Sequence, residues 1–248
     1  MLSHVILLII CFLLYVILYT GSVFASEEIN FMDFFAGSEP FGKSLDEWAK
    51  YYWQWYVSTP YEIPKDETGL DKCIVGSDPE GLMQFLLNSY EKTYTTKCTI
   101  SSQKPILIPL LIGECDSSIE DDPRVKTGKV EDLWECAKDV DEEFYLWDVT
   151  LDDKVLFRKS GTSEVNPELK EKILVRNSPP FMLNFSAANQ YDVPEGSYQA
   201  VVDGYYLIIE PLLPGEHTLK YKITHKVDPT GPLPSYVNGD VTYHLTVN

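Results

Sequence analysis

The spacing of hydrophobic residues changes along the chain from a helical period to a period of two. Near the N-terminus, large apolar residues recur at intervals of three or four positions at Leu45, Trp48, Tyr52 and Trp55. This spacing places the four side chains along one side of a helix. Together with a capping-box pattern at its start, it predicts a helix over residues 44–57.

Beyond this helix, short apolar or β-branched runs separated by polar, Gly or Pro breaks predict strands. The predicted strands cover residues 81–90, 93–100, 106–112, 145–151, 154–158, 173–176, 181–187, 198–202, 205–209, 218–227 and 241–247. Short helices are predicted over residues 130–138 and from Asn166, where Pro167 follows an N-cap residue. Many short strands at this spacing indicate a mainly β fold, an antiparallel β-sandwich or jelly-roll-like domain behind an N-terminal aromatic helix.

The first 25 residues form a separate segment that contains no Asp, Glu, Lys or Arg. An apolar run is followed there by the small residues Val23 and Ala25, which is typical of a secretory signal peptide cleaved after residue 25. The alternative is an uncleaved N-terminal anchor, because residues 5–25 are about long enough to span a bilayer. Both interpretations predict that residues 26–248 form a single exported domain, extracellular, at the cell surface or in the periplasm. Membrane contact is expected only through residues 5–25.

Four cysteines lie beyond this segment, at Cys73, Cys98, Cys115 and Cys136. An even number of cysteines in an exported protein predicts two disulfide bonds, although four cysteines allow three connectivities. Sequential pairing would close two loops of similar length, each contributing about 3 kcal/mol to stability. The spacings do not fit a structural zinc site, whose ligand pairs lie two to four residues apart.

Residues 41–60 have the sequence FGKSLDEWAKYYWQWYVSTP. This stretch resembles the opening of a family of exported prokaryotic proteins, in which an FGK-x3-EW-x3-WWQW-x2-S-x-P segment follows the signal peptide. The resemblance continues in patches at residues 66–69, around the four cysteines, and at residues 203–205 and 214–218. The chain departs from the family pattern at Tyr52 and Gln84, where Trp is usual, and at residues 100–104, where a Val-Pro-x-Gly turn is usual. The resemblance implies export and a four-cysteine framework, and it implies no activity.

The chain carries 38 acidic and 20 basic side chains, a formal net charge of −18. This excess argues against nucleic acid as a partner, because binding phosphates requires clustered Lys and Arg. Fifteen of the acids but only four of the bases lie between residues 114 and 153. That stretch is either a solvated face or a calcium site, since calcium prefers carboxylate oxygens. The calcium candidates, which lack EF-hand spacing, are Asp139, Asp141, Glu142 and Glu143. No other cofactor is predicted.

The predicted N-terminal helix is aromatic over more than half of its circumference. Such a helix either packs beneath the sheet or presents its rings to a partner. In the second case the rings would stack on sugars or anchor a protein, because Trp and Tyr combine a large rigid area with a polar group. The candidate binding surface consists of Trp48, Tyr51, Trp53, Trp55 and Tyr56.

Signatures of catalysis are sparse in this sequence. The chain has no G-x-S-x-G motif, and no His lies in a context that suggests a base for a particular Ser. Strand alternation places His217 and His244 on opposite sides of the sheet, so we expect no three-histidine metal site and expect His217 to bond a turn carbonyl. The leading prediction is a non-enzymatic exported module that binds a glycan or an envelope protein. The alternatives are an extracellular glycoside hydrolase with paired carboxylates and a calcium-stabilised structural envelope protein.

Overall fold

The computed structural model describes residues 39–59, 65–87, 93–118, 125, 129–138, 144–160, 172–189, 191–225 and 238–248. The contacts of the chain divide it into two units, Met1–Asp33 and Phe34–Asn248, and the described residues belong to the second. The predicted signal peptide, the helix predicted from Asn166 and the four calcium candidates lie outside the described residues. Within the described ranges, no helix is long and apolar enough to cross a membrane.

The helices are α1, Leu45–Tyr56, and α2, Val130–Lys138, and a short 3-10 turn, Pro40–Gly42, precedes α1. The strands are β1 Asp71–Lys72, β2 Val75–Ser77, β3 Gln84–Leu86, β4 Thr93–Ile100, β5 Ile106–Asp116, β6 Phe144–Leu151, β7 Lys154–Ser160, β8 Leu174–Val175, β9 Phe181–Phe185, β10 Gly196–Ile209, β11 Gly215–His225 and β12 Asn238–Val247. The bounds of α2 and β4 agree with their predictions, and α1 is one residue shorter at each end. At its start, the Ser44 amide donates to the Glu47 carboxylate at 2.9 Å, as the capping-box pattern predicts.

The strands form two sheets, which confirms the predicted mainly β, sandwich-like fold. The first sheet has the order β1-β4-β12-β11-β6-β7, and the second has the order β2-β3-β5-β10-β8, with β9 also paired to β10. Most neighbours are antiparallel, but β1 and β12 both pair with β4 in parallel, and so does β3 with β5. Parallel pairing is possible here because none of these pairs is joined by a tight hairpin.

The first sheet has one buried and one solvated face. Tyr94, Tyr221 and Tyr243 are buried on three neighbouring strands, whereas the alternating positions Lys220 and His244 are exposed. This alternation is what a strand with one apolar side requires. The Tyr243 hydroxyl donates to the carbonyl oxygen of Leu87, just beyond β3, and so connects the first sheet to the chain of the second.

The central strands of the second sheet are buried on both faces. Strand β10 is one continuous strand, whereas the sequence predicted two strands that end at Val202 and restart at Tyr205. The intervening Gly204 does not form a turn. Its φ of 119° is a conformation that glycine adopts without strain and that other residues rarely adopt. A Cβ atom there would also collide with the Leu111 carbonyl of β5. Asp203 and Gly204 therefore belong to the strand.

Helix α1 covers one face of the second sheet. The register pairs Glu114 of β5 with Val202 of β10, and these two side chains share a face. Tyr206, four residues after Val202, lies on the same face, and Trp53 of α1 donates from Nε1 to its hydroxyl at 2.9 Å. We call this the helix-1 face.

Helix α2 covers the opposite face. Cys115 of β5 is paired in register with Val201, and both pack with Cys136 of α2 in a buried cluster. A disulfide bond joins Cys115 to Cys136 and fixes α2 to the sheet. Asp203 points to this same face, which we call the helix-2 face, because it lies two residues after Val201.

Candidate functional site

The aromatic residues of α1 are divided between core and surface. Trp48 is fully buried and Trp53 is 7% exposed, so both belong to the core. This corrects the predicted binding surface, which included both residues. Helix α1 is aromatic on several sides, and the wide sector that holds its buried residues Trp48, Ala49, Tyr52 and Trp53 is enclosed by the fold. Of the predicted surface, the half-buried residues Tyr51, Trp55 and Tyr56 remain.

Trp55 is largely committed to packing. Its ring lies against Gly76 of β2 so closely that a Cβ atom at that position would collide with it. The Phe85 ring is 5.8 Å away between centroids. Because glycine backbone and a core phenylalanine occupy its surroundings, Trp55 contributes mainly to attaching α1 to the second sheet.

Tyr56 carries the aromatic surface beyond the helix. Its ring stacks on the buried Tyr52, with centroids 5.7 Å apart and an angle of 18° between the planes. On the other side it approaches Tyr191, at 6.4 Å between centroids. Tyr191 is 47% exposed. The surface end of this aromatic row is therefore a residue that the sequence patterns did not indicate.

The loop that carries Tyr191 is shaped by one buried side chain. Asn189 accepts hydrogen bonds at Oδ1 from the amides of Tyr191 and Val193, at 3.0 and 3.2 Å. Its Nδ2 donates to the carbonyl oxygens of Ser186 and Val193 at 2.8 and 2.6 Å. Four bonds from a single side chain hold the loop in place, so Tyr191 is positioned before any ligand arrives.

Two carboxyl groups of β5 lie on the helix-1 face. Glu114 and Asp116 point to the same side of β5 and share a hydrogen bond. Burial, and then the neighbouring Asp116, raise the pKa of Glu114 well above its usual range. Asp116 also accepts from the Ser118 amide at 2.6 Å. The Glu114 carboxyl also contributes to the rise in the pKa of Tyr191, so the two groups lie within electrostatic range of each other.

Together, Tyr56, Tyr191, Glu114 and Asp116 form what we call the aromatic–carboxyl site. Burial, the Tyr56 hydroxyl and Glu114 all raise the pKa of Tyr191, so its hydroxyl is a neutral hydrogen-bond donor and acceptor. The site combines an exposed ring face, suited to stacking, with two carboxyl groups of the sheet beneath α1, of which Asp116 is buried. Sequence reasoning found Tyr56 and placed Glu114 and Asp116 in an acidic stretch, but it did not bring them together.

The four predicted disulfide cysteines are paired sequentially, Cys73 with Cys98 and Cys115 with Cys136. This settles the connectivity that the sequence left open. Two disulfide bonds in one domain are typical of proteins in oxidising compartments.

His217 and His244, the histidines whose side chains the structure describes, lie in separate surroundings. The Nδ1 atom of His217 is 2.7 Å from Asp152 Oδ2, and its Nε2 atom is 2.9 Å from the Leu213 carbonyl oxygen. The predicted turn-carbonyl contact is therefore present. His244 is exposed on the other side of the first sheet. Among the described residues, no group of three or more His, Cys, Asp or Glu side chains is arranged to hold a metal ion.

No family model matches the chain, and no curated protein matches it. A solved structure that it resembles is that of PbICP-C in complex with falcipain-2, with 17% sequence identity over 66% of this chain and 97% of that chain, and a TM-score of 0.23. A TM-score of this size does not indicate a shared fold, so the likeness has no bearing on the function of the chain.

Proposed function

We propose that this protein is an exported, non-enzymatic module that binds a glycan at the cell surface through the aromatic–carboxyl site. Export is supported by the predicted signal peptide and by the two disulfide bonds. The observation that carries the binding proposal is Tyr191, a ring that is 47% exposed and yet is held in place by a loop that Asn189 fixes.

A tyrosine in this position is suited to binding rather than to stability. Its exposed face contributes little to the core, whereas stacking on a sugar would remove apolar surface of both partners from water. Because Asn189 already fixes the loop, ordering the ring on binding costs little conformational entropy. The Tyr191 hydroxyl supplies a polar contact that can orient a ligand rich in hydroxyl groups.

The small size of the site favours a sugar over a protein partner. A stable protein interface buries about 800 Å² on each side and usually centres on several aromatic anchors. Here Trp48 and Trp53 are enclosed and cannot serve as anchors, and the Trp55 ring packs against Gly76. One exposed ring with adjacent carboxyl groups fits a single sugar residue.

The glycoside hydrolase alternative is less favoured. Glu114 and Asp116 are a carboxyl pair of the expected type, but they are hydrogen-bonded to each other. Glycoside hydrolysis requires carboxyl groups about 5–10 Å apart, so that the sugar or a water molecule fits between them. A pair in direct contact leaves no room for either.

A glycan array followed by calorimetric titration of the best ligand tests the proposal. Tyr191→Ala is expected to weaken binding by about tenfold or more, because the stacking face is lost. Phe41→Ala is the matched control, since Phe41 is also an exposed aromatic, 54% accessible, but precedes the opposite end of α1. A wild-type protein that binds no glycan, or a Tyr191→Ala variant that binds as the wild type does, contradicts the proposal.

A further inference from the structure

A second accessible tyrosine follows Tyr191 along the chain. Tyr198, the third residue of β10, is partly exposed. Its hydroxyl donates to the carbonyl oxygen of Pro194 at 3.0 Å, in a hydrogen bond at the surface. The side chain points to the helix-1 face, because it lies four residues before Val202. Two tyrosines that solvent reaches are therefore close in sequence, Tyr191 in a loop and Tyr198 at the start of the strand that follows.

The buried ring of Phe185, at the end of β9, contacts both tyrosines. Its centroid is 6.5 Å from that of Tyr191 and 5.9 Å from that of Tyr198, and the ring planes meet at 83° and 71°. Such T-shaped contacts cover at most one face of each tyrosine ring. Within the described part of the chain, Tyr191 and Tyr198 have no ring contact with each other. One sugar ring therefore does not stack on both tyrosines at once.

Both rings are held in place before a ligand arrives. Asn189 accepts hydrogen bonds from the amides of Tyr191 and Val193 and so fixes the loop. The Tyr198 ring lies against Gly196, where a Cβ atom would be 3.1 Å from it, and its hydroxyl is bonded to the loop. Two rings that are already ordered lose little conformational entropy when a ligand covers them.

Building on the proposed function, we propose that Tyr198 is a second stacking residue, and that the glycan is an oligosaccharide with one sugar residue on Tyr191 and another on Tyr198. Tyr191 alone accommodates a single sugar residue. Two tyrosines that contact the same phenylalanine but not each other suit residues of one short chain. Each stacked residue removes apolar surface of both partners from water, so an oligosaccharide gains from both rings and a monosaccharide from only one.

A chain-length series tests this inference on the wild-type protein. Glucose, galactose, mannose and N-acetylglucosamine are compared by calorimetry with their linear oligomers of about two to five residues. In the series that binds, we expect the oligomers to bind at least about tenfold more tightly than the monosaccharide, because the second ring is engaged.

A gain that only follows the number of residues in the oligomer reflects more binding positions on the ligand, and it overturns the inference. Equal binding of monosaccharide and oligomers does the same, and both results leave the proposed function standing. If none of the oligomers binds, the inference is overturned, and the glycan array then decides the proposed function separately.

Tyr198→Ala assigns the gain to the ring. This variant is expected to lose most of the gain with chain length, while it binds the monosaccharide within about twofold of the wild type. Loss of a merely structural contact would weaken monosaccharide and oligomer alike. Tyr198→Phe is the matched control, because it keeps the ring and removes only the hydrogen bond to Pro194. It should keep most of the gain.

Two results with these variants contradict the inference. The first is a Tyr198→Ala variant that keeps the full gain with chain length. The second is a Tyr198→Phe variant that loses as much as Tyr198→Ala, since the hydroxyl and not the ring would then be responsible. If Tyr198→Ala does not fold, Tyr198→Leu replaces it, because leucine keeps an apolar contact with Phe185 but offers no ring.

Discussion

Two carboxylates on the central strands of the second sheet have opposite electrostatic surroundings. Asp203 lies on the helix-2 face, where burial raises its pKa and Arg176, Lys138 and two backbone amides oppose that rise. Glu114 lies on the helix-1 face, where burial and Asp116 both raise its pKa. The two side chains are on adjacent strands, but among the described residues only Asp203 has cations near it.

The difference separates a structural group from a functional one. The buried carboxylates that serve the fold have favourable partners: Arg176 lies next to Asp203, and Asp78 accepts from the amides of Leu82 and Met83. An enclosed carboxyl that only costs stability is more readily explained by a role in binding, since perturbed titratable groups concentrate at functional sites. If this division is correct, removing partners on the helix-2 face destabilises the protein, and neutralising Glu114 does not.

The largest expected effect concerns the bond that fixes α2 over Asp203. The double substitution Cys115→Ala and Cys136→Ala opens a loop with a sequence separation of 21, and we expect a loss of about 3 kcal/mol in the free energy of unfolding. Denaturant unfolding measures it. Replacing Cys73 and Cys98 should cost a similar amount, since their separation is 25. The helix-1 face does not depend on the Cys115–Cys136 bond, so a loss of glycan binding in the first variant while it is still folded would contradict the separation of the two faces.

The next effect concerns the ion pair itself. Arg176→Met leaves the buried Asp203 without its main counter-charge, and we expect a loss of about 2 kcal/mol. The effect is smaller than for a fully enclosed pair, because the Arg176 side chain is 30% exposed and the charged atoms are 3.6 Å apart. The double variant Arg176→Met with Asp203→Asn should recover most of the loss. A single variant as stable as the wild type would show that Asp203 is no better compensated than Glu114.

The sequence predicts the framework better than the site, for a physical reason. Helix α1, helix α2 and strand β4 depend on local spacing, capping and alternation, which are visible in the chain. The burial of Trp48 and Trp53 depends on which side of an aromatic helix meets the sheet, and a helix that is apolar on several sides does not define this.

The aromatic–carboxyl site depends on contacts between distant segments. Tyr191 lies in a polar loop without periodicity, and only the hydrogen bonds of Asn189 give that loop its shape. Glu114 stands at the start of an acidic stretch that resembles a solvated surface. The clue in the sequence was the alternation of Glu114 and Asp116 at the end of an apolar strand, which places both side chains on one face.

A smaller effect, of opposite sign, is expected at the helix-1 face. Burial raises the pKa of Glu114 above its ordinary value of 4.5, so the folded state holds this proton more firmly than the unfolded state does. Its stabilising contribution is complete below pH 4.5 and is lost as the pH rises through the folded-state pKa. Glu114→Gln should therefore raise the stability by about 1 kcal/mol at neutral pH and have little effect at pH 4. Thermal melts at both pH values measure this, and a variant less stable at neutral pH would remove the contrast with Asp203.

The smallest effect is expected at an ion pair near the surface, formed by His217 and Asp152. Its strength is a reference against which the effects at the buried Asp203 and Glu114 can be compared. Burial lowers the pKa of His217, but the hydrogen bonds to Asp152 and to the Leu213 carbonyl raise it more, and the net shift is upward from 6.5. The imidazolium therefore stabilises the fold below pH 6.5, and this contribution is lost as the pH rises through the folded-state pKa. Because the Asp152 side chain is 39% exposed, solvent screens the pair, and His217→Gln should cost only about 0.5 kcal/mol at pH 5.5 and less at pH 9. His244→Gln, on the solvated face of the same sheet, is the control for the substitution itself. A cost at His217 as large as that at Arg176 would mean that exposure does not set the strength of these pairs, and the distinction drawn between Asp203 and Glu114 would lose its basis.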